Sequence, residues 1–422
     1  MAFSFVDLYS GCGGLSLGLM QAGGAGVLAV EKSPDAFQTL WHNLSNPTGL
    51  EPFKWPEDIP RQAHEIRTLL TTHGKQVDAL EGMIDLVAGG PPCQGFSTYG
   101  RRNPHDPRNQ LWTAYLEFIT RVKPSAVLLE NVEGIDMPFV RGRENTGRQC
   151  RETAAYRIMA KLKALGFATK VLRLCASDYG VPQFRPRFFL VGFRNDDPKR
   201  VEALLGDAFL AQVQQLHFAA LGMSVGDVVT VKQAISDLEL QGKELEACPD
   251  SKGFMQPVYA GPLTAYQKSM HAGLEAKKAP NSIRLARHKP KTVERFETIQ
   301  KSGVRGYKAA AHINALMGTS KHRTHWLNPG KPAPTITTLP DDFVHYSEPR
   351  ILSVRECARL QSFPDWFEFR GKYTTGGERR KIECPRFTQV GNAVPPRLAR
   401  FIGLYIVKAI ESLAQGDAQL AA

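Results

Sequence analysis

The chain has 422 residues, ordinary proportions of hydrophobic (42%) and charged (22%) residues, and a net charge of +12. This composition is typical of a globular protein long enough for two domains, and no apolar run reaches the roughly 18 residues needed to span a bilayer. Seven scattered cysteines favour reduced thiols over a disulfide framework, and no Cys/His grouping indicates a metal site. The amino terminus lacks signal-peptide features, so we expect a cytoplasmic protein without membrane contact.

Strand and helix patterns alternate along the chain up to about residue 192. Short apolar strands are predicted at 3–8, 26–30, 84–88, 126–129, 169–174 and 187–192, and helices at 15–22, 111–122 and 157–165. Such alternation implies a mostly parallel sheet covered on both faces, which places the chain in the α/β fold class. From 194 to 350 the pattern becomes irregular and proline-spotted. It becomes regular again at 353–363 and in a final apolar helix at 397–413.

Most of the positive charge lies in one segment. Between residues 251 and 330 there are 14 Lys or Arg against 3 Glu, a net of +11. A solvated basic face could account for a smaller surplus. At this density a polyanionic partner is favoured, because a clustered cationic surface gains free energy by releasing phosphate counterions.

A glycine-rich turn follows the first predicted strand, in Asp7-Leu8-Tyr9-Ser10-Gly11-Cys12-Gly13-Gly14. Glycines between a strand and a helix let the backbone approach a ligand closely, although tight packing alone could also require them. Glu31, at the end of the next strand, favours the ligand-binding interpretation because a carboxylate there can accept hydrogen bonds from ribose hydroxyls. The GxGxxG spacing of nicotinamide-binding proteins is absent.

Two further strand ends carry reactive side chains. Ile84 to Ala88 is followed by Gly89-Gly90-Pro91-Pro92-Cys93, a sequence that stops the strand and presents a thiol. Glu130 ends the apolar strand at 126–129. Because parallel strands end at the same edge of a sheet, Cys93 and Glu130 are expected to face one crevice.

Two arginines alternate in Gln183-Phe184-Arg185-Pro186-Arg187. In an extended segment Arg185 and Arg187 lie on one face, where they suit an anion or a base with a neighbouring carboxylate. A solvated edge strand is the alternative interpretation.

Together these segments resemble the DNA (cytosine-5)-methyltransferases of the bacterial and phage modification type. The resemblance runs from Asp7 to about Pro396 and includes three further blocks. They are Asp106-Pro107-Arg108-Asn109-Gln110-Leu111, Arg355-Glu356-Cys357-Ala358-Arg359-Leu360-Gln361-Ser362-Phe363-Pro364 and Gln389-Val390-Gly391-Asn392-Ala393-Val394-Pro395-Pro396. It implies a Rossmann-like catalytic domain at 1–192, completed by 388–422, and a smaller, irregular target-recognition domain at 193–387.

The resemblance also implies S-adenosyl-L-methionine as the methyl donor. The residues expected around its methionine portion are Tyr9, Gly11, Gly13 and Gly14, and Glu31 would bind the ribose. Asp58 and Ile59 would meet the adenine, and the pocket would be closed by Leu111, Asn392 and Val394. Lys32 departs from the pattern, since relatives carry a larger apolar side chain there.

The implied chemistry explains the catalytic residue types. A thiolate at Cys93 adds to C6 of cytosine and thereby makes C5 nucleophilic. Protonated Glu130 stabilises the charge at N3, and Arg187, with Arg185, orients the base and Glu130.

The implied substrate is duplex DNA from which the cytosine is extruded. The residues expected to contact DNA are Gln94, Ser97, Arg101, Arg108, Arg323, Thr337 and Thr338, and the polar segment at 97–103 is expected to close on the duplex. We expect a monomer, and a cognate restriction endonuclease is a possible partner.

Two other functions fit parts of the pattern. A related methyltransferase acting on a tRNA cytosine would share the chemistry, and Gln94-Gly95-Phe96-Ser97 with the long basic segment favours DNA. An inactive DNA-binding protein could keep the fold, but the complete Cys93, Glu130 and Arg187 set argues against it.

Overall fold

The computed structural model describes residues 3–92, 111–137, 153–194, 197–303, 305, 315, 324–375, 379 and 382–415. The strands, in chain order, are β1 (Ser4–Leu8), β2 (Ala25–Val30), β3 (Leu86–Gly89), β4 (Ala126–Asn131), β5 (Ala168–Cys175), β6 (Pro186–Phe193), β7 (Leu245–Ala247), β8 (Met255–Pro257), β9 (His325–Trp326) and β10 (Phe343–Val344).

The helices in chain order are α1 (Gly14–Gln21), α2 (Pro34–Leu44), α3 (Ile66–Thr72), α4 (Gly74–Asp78), α5 (Leu111–Val122), α6 (Ala154–Ala164), α7 (Pro198–Leu204), α8 (Asp207–Ala220), α9 (Val231–Ile235), α10 (Ala265–His271), α11 (Pro290–Lys301), α12 (Val354–Leu360), α13 (Arg386–Asn392) and α14 (Pro396–Gln415). Short 3-10 turns lie at Glu133–Asp136, Ala176–Tyr179, Ser236–Leu238 and Pro340–Asp342.

Six strands form the central sheet, in the order β2-β1-β3-β4-β6-β5. The first four are parallel, and β6 runs antiparallel to both β4 and β5. The mostly parallel α/β sheet predicted from the sequence is therefore confirmed. The carboxyl ends of β1 to β4 share one edge with the start of β6, because Asn131 pairs with Phe188. We call this the carboxyl edge.

The sequence pattern missed most of the helices between 193 and 387. Helices α7 to α11 lie within the segment for which the pattern indicated no regular elements. α11, for example, buries only Phe296 and Ile299, so its apolar periodicity is faint. The capping boxes of α9 (Thr230 with Gln233) and α10 (Thr264 with Gln267) were the available signals.

The main hydrophobic core extends beyond the sheet. It includes residues of α9 and α12, such as Val231, Ile235, Val354 and Leu360, together with the β-strand residues. The proposed division into domains at 1–192 with 388–422 and at 193–387 stays a prediction. None of the helices in the described part of the chain is long and apolar enough to cross a membrane.

Helices α1 and α14, the first and last helices in the described part of the chain, pack directly against each other. A Cβ atom at Gly18 of α1 would lie 2.3 Å from Cβ of Ala399 and 2.5 Å from the carbonyl oxygen of Pro396, both in α14. Glycine lets the two helix backbones approach closely, and this contact holds the end of the chain on the start of the sheet.

Gly18→Ala should lower the free energy of unfolding by about 1–3 kcal/mol, because the added methyl group overlaps the α14 backbone. Thermal or urea unfolding measures the change. Gly330→Ala is the matched control, since its Cβ would lie 3.6 Å from Oδ1 of Asn328, which is ordinary van der Waals contact. Equal stability of the two variants would contradict the close packing of α1 on α14.

Candidate active site

A carboxylate and a guanidinium meet at the carboxyl edge. Nε of Arg187, at the start of β6, lies 3.0 Å from Oε1 of Glu130, near the end of β4. The two side chains are only 11% and 14% exposed. Antiparallel pairing of β4 with β6 produces this contact, because it brings the first residues of β6 to the last residues of β4.

Burial controls the protonation of Glu130. Removal from water raises the pKa of its carboxyl above the ordinary value, and the charges of Arg187 and Arg185 lower it by less. A carboxyl in such a place can carry a proton closer to neutral pH than a surface glutamate can. Arg187 occupies Oε1, so Oε2 is the oxygen that remains to face a ligand.

The chain that leads to Cys93 is held beside Glu130. The amide of Gly90 donates to the carbonyl oxygen of Leu8 (3.2 Å), and Nδ2 of Asn131 donates to that of Pro91 (3.1 Å). A Cβ atom at Gly90 would lie 3.1 Å from Oε2 of Glu130, so the glycine leaves room at that oxygen. Cys93 itself lies outside the described residues. Asn131 and Gly90 were missed by the sequence analysis, although the Gly89-Gly90 pair was a signal.

The glycine turn and Glu31 form a second cluster at the same edge. The amide of Gly11 donates to Oε2 of Glu31 (3.0 Å), and the amide of Ser33 donates to Oε1 (2.7 Å). Burial raises the pKa of the Glu31 carboxyl, and these backbone hydrogen bonds counteract the rise. The glycine turn and Glu31 are thus in direct contact, and their predicted binding of a ligand stays a prediction.

The turn has the features of a ligand cradle. Gly11 has a φ of +57°, and a Cβ atom there would have nothing within 4 Å. Tyr9 also has a positive φ (62°), which is strained for a residue with a large side chain. Oγ of Ser10 is buried and has no hydrogen-bond partner among the described residues. Space beside Gly11 and an unpaired hydroxyl suit a polar ligand.

Other predicted pocket residues adjoin this turn. The Tyr9 hydroxyl donates to the carbonyl oxygen of Leu111 (2.7 Å). A Cβ atom at Gly14 would lie 2.4 Å from the carbonyl oxygen of Val394, so Gly14 serves close packing against the segment after α13. The Cβ position of Gly13, whose φ is +94°, faces Leu40 and Leu44.

The remaining predicted pocket residues differ in exposure. Ile59 is buried in the main core, whereas Asp58 and Asn392 are exposed. The segment after Ile59 returns to β2, where the amide of His64 donates to the carbonyl oxygen of Glu31 (2.8 Å). Lys32, the departure from the family pattern, is exposed.

Asp7 is a buried acid that the sequence analysis did not single out. It lies in the middle of the sheet, and its Oδ2 accepts a hydrogen bond from Oγ of Ser16 (2.5 Å). In the part of the chain that the structure describes, its Oδ1 has no hydrogen-bond partner. Burial raises its pKa to about 7, and the neighbouring Glu31 and Glu130 add to the rise. Asp7 thus lies within electrostatic reach of both clusters.

Arg185 differs from Arg187 in its surroundings. Its guanidinium is buried and donates to the carbonyl oxygens of Ile336 (3.1 Å), Gly391 (2.8 Å) and Ala393 (3.0 Å). Ile336 lies between β9 and β10, whereas Gly391 lies in α13 and Ala393 directly follows it. Arg185 therefore ties segments together, whereas Arg187 engages the carboxylate.

The predicted nucleic-acid contacts are only partly within the described chain. Thr337 and Thr338 are half-buried, and Oγ1 of Thr337 donates to Oδ2 of Asp342 (2.7 Å). Their backbone lies against α13, since a Cβ atom at Gly391 would be 2.4 Å from the carbonyl oxygen of Thr337. Residues outside the described ranges are Gln94, Ser97, Arg101, Arg108 and Arg323.

Comparison with known proteins gives a consistent result. The family model described as C-5 cytosine-specific DNA methylase matches residues 3–408. The type II methyltransferase M.DdeI of Desulfomicrobium norvegicum is 30% identical over 406 residues, covering 94% of this chain and 86% of the relative. M.AgeI of Thalassovita gelatinovora, also a type II methyltransferase, is 29% identical and covers 96% and 99%.

Solved structures share the fold. A prophage-encoded E. coli protein described as a DNA modification methyltransferase superposes with a TM-score of 0.65 at 23% identity, covering 97% of this chain and all of that one. The Dnmt2 methyltransferase of S. pombe gives a TM-score of 0.52 at 16% identity, with coverage of 98% and 99%.

The two arginines can be separated by their effects on stability. Arg185→Met should lower the free energy of unfolding by on the order of 3 kcal/mol, because it leaves buried carbonyl oxygens without a donor. Arg187→Met should cost less, since its partner Glu130 can become neutral by taking a proton. Urea unfolding of both variants measures the difference, and equal losses would contradict the assignment.

Proposed function

The chain belongs to the C-5 cytosine-specific DNA methylase family and is a DNA cytosine methyltransferase; on that premise, we propose that it methylates C5 of an extruded cytosine within one specific duplex sequence. The relatives named above are type II methyltransferases, so we further propose that it serves as a modification enzyme of that type. The observation that carries the proposal is the Glu130–Arg187 pair beside the backbone that leads to Cys93.

Cys93 is the proposed nucleophile. Its thiolate forms a bond to C6 of cytosine. The π-electron pair of the C5–C6 double bond shifts to C5 and, by conjugation, towards N3, which makes C5 nucleophilic. When C5 has been substituted and has lost its proton, the C6–S bond breaks and the thiolate leaves. Cys93 thus ends the cycle unchanged.

Glu130 is proposed to stabilise the negative charge that develops on the cytosine ring. With its proton on Oε2 it donates to N3 of the cytosine, where negative charge develops as the thiolate adds. The raised pKa of Glu130 supports this role, because it increases the protonated fraction near neutral pH. Arg187 holds Oε1 and so fixes the direction in which Oε2 points.

The residues of the glycine turn suit S-adenosyl-L-methionine. Glu31 would accept hydrogen bonds from the ribose hydroxyls, and the open space at Gly11 with the unpaired Ser10 hydroxyl would receive the rest of the molecule. Leu111 and Val394 adjoin the turn and would complete the walls. When bound, the cofactor supplies an electrophilic methyl group.

The proposed duplex substrate requires the cytosine to leave the base stack, at a cost of about a few kcal/mol. The cationic segment at 251–330, with its net charge of +11, would offset this cost through phosphate contacts. Thr337 and Thr338, whose backbone packs against Gly391 of α13, are among the residues proposed to contact DNA.

The first test is methylation of a plasmid by the purified protein with S-adenosylmethionine, followed by bisulfite sequencing. Cytosines protected in one short motif are expected with the wild type, and Cys93→Ala should abolish protection because no other group can add to C6. Cys175→Ala is the matched control. Protection that survives in Cys93→Ala would contradict the mechanism, and methylation of RNA but not DNA would contradict the substrate.

Glu31→Ala should weaken S-adenosylmethionine binding about 10- to 100-fold, because charge-assisted hydrogen bonds to the ribose are lost. Isothermal titration calorimetry measures the affinity without reference to turnover. Glu51→Ala, in an exposed loop, should bind as the wild type does. Undiminished affinity of Glu31→Ala would remove Glu31 from the proposed cofactor site.

A further inference from the structure

Phe184 is exposed in a part of the chain where its neighbours are buried. Its relative exposure is 60%, whereas Gln183 and Arg185 on either side are at 0% and 2%. No other phenylalanine in the described part of the chain is exposed. Leaving a phenyl ring in water forgoes the free energy of burying it, so a partner that covers the ring would gain that free energy.

The backbone of Phe184 is held on both sides. Its amide donates to the carbonyl oxygen of Ala333 (2.7 Å), and its carbonyl oxygen accepts from Oγ1 of Thr335 (2.9 Å). Gln183 pairs with Ala333 in a parallel bridge and accepts from the amide of Ile336 at 2.8 Å. The ring therefore projects from a fixed support, which lowers the entropic cost of using it as a contact.

The ring lies near the reacting groups. Phe184 is three residues before Arg187, so at most about 10 Å of extended chain separates their Cα atoms. It precedes β6 at the carboxyl edge, where Arg187 meets Glu130. It also borders the segment that contains Thr337 and Thr338. Because Arg185 and Arg187 lie on one face of this extended segment, the ring leaves the segment on the other face, a short stretch of chain away from the Glu130–Arg187 pair.

Among the parts of a DNA duplex, only bases and sugars offer apolar faces to such a ring. Extrusion of a cytosine removes a stacking partner from each neighbouring base. Aromatic and other apolar side chains can occupy such gaps, and stacking on an aromatic ring is independent of base identity. Phosphate contacts, in contrast, would call for a cationic side chain.

We infer that Phe184 is a substrate-contacting residue whose ring stacks on a nucleotide adjacent to the extruded cytosine and holds the opened duplex at the active site. This inference rests on the proposed function. The partner that covers the exposed ring is DNA, rather than a second copy of the chain.

The test compares Phe184→Ala, which removes the ring, with Phe184→Trp, which keeps an aromatic face. Met83→Ala is the matched control. Met83 is 67% exposed, but it lies at the opposite edge of the sheet, where its carbonyl oxygen accepts from Oγ of Ser4 at the start of β1. The substrate is a duplex that carries the motif found by bisulfite sequencing, at fixed ionic strength.

Phe184→Ala should raise KM for DNA about tenfold, at the lower end of the effect of removing one base–aromatic stack. Its affinity for S-adenosylmethionine and its melting temperature should stay at wild-type values, as should KM for DNA in Met83→Ala. Phe184→Trp should remain within about threefold of the wild type. With 2-aminopurine on either side of the target cytosine, fluorescence in the Phe184→Ala complex should be higher than in the wild type, because the stacking ring is missing.

Each other outcome has a defined meaning. A KM for DNA in Phe184→Ala within twofold of the wild type would overturn the inference and leave the proposed function intact. A parallel loss of cofactor affinity or melting temperature would show a structural role and also overturn it, as would a change in sedimentation mass without a change in KM. If the wild type transfers no methyl group to any DNA, both the proposed function and this inference fail.

Discussion

A buried hydrogen-bond network around Arg185 is the constraint on which the active site depends. Its guanidinium joins three backbone carbonyl oxygens from two distant parts of the chain, and Gln183 joins it to α12 through the carbonyl oxygen of Leu360 (3.2 Å) and Oε1 of Gln361 (2.8 Å). Gln361 in turn donates to the carbonyl oxygen of Val390 in α13 (2.8 Å). Among the described residues Nε of Arg185 has no partner, but its two terminal nitrogens are paired, and buried donors and acceptors favour pairing, so these segments can adopt few relative positions.

The network explains why a single short segment serves several purposes. Gln183 and Arg185 hold the segment 183–187 in place through their hydrogen bonds, and Arg187 on the same face reaches Glu130. Phe184 projects on the other face of the segment. Two of the carbonyl oxygens that Arg185 binds belong to Gly391 and Ala393, just before Val394, which packs on Gly14. Glu130 and the glycine turn are thus both connected to this set of hydrogen bonds.

Much of this could be predicted from the sequence, for identifiable reasons. The sheet strands are short apolar runs that end in glycine or acidic residues, and such boundaries are local, so Glu31 and Glu130 were placed at the correct edge. The different surroundings of Arg185 and Arg187 could not be predicted, because their alternation is the same and only tertiary partners distinguish them. The helices at 198–301 were not predicted, because their buried faces are small. The raised pKa of Asp7 was not predicted, because it results from burial, which is a property of the fold.

The packing of α14 on α1 has a consequence for biosynthesis. The surfaces of α1 around Gly14 and Gly18 are completed by Val394, Pro396 and Ala399, which are made nearly 400 positions later. At about 5–20 residues per second, a ribosome needs roughly 20 to 80 seconds between these two points. Throughout that interval the nascent sheet lacks one of its covering helices, so a partly synthesised chain exposes apolar surface and cannot yet modify DNA. Completion of the fold around α1 therefore requires that synthesis has proceeded through α14.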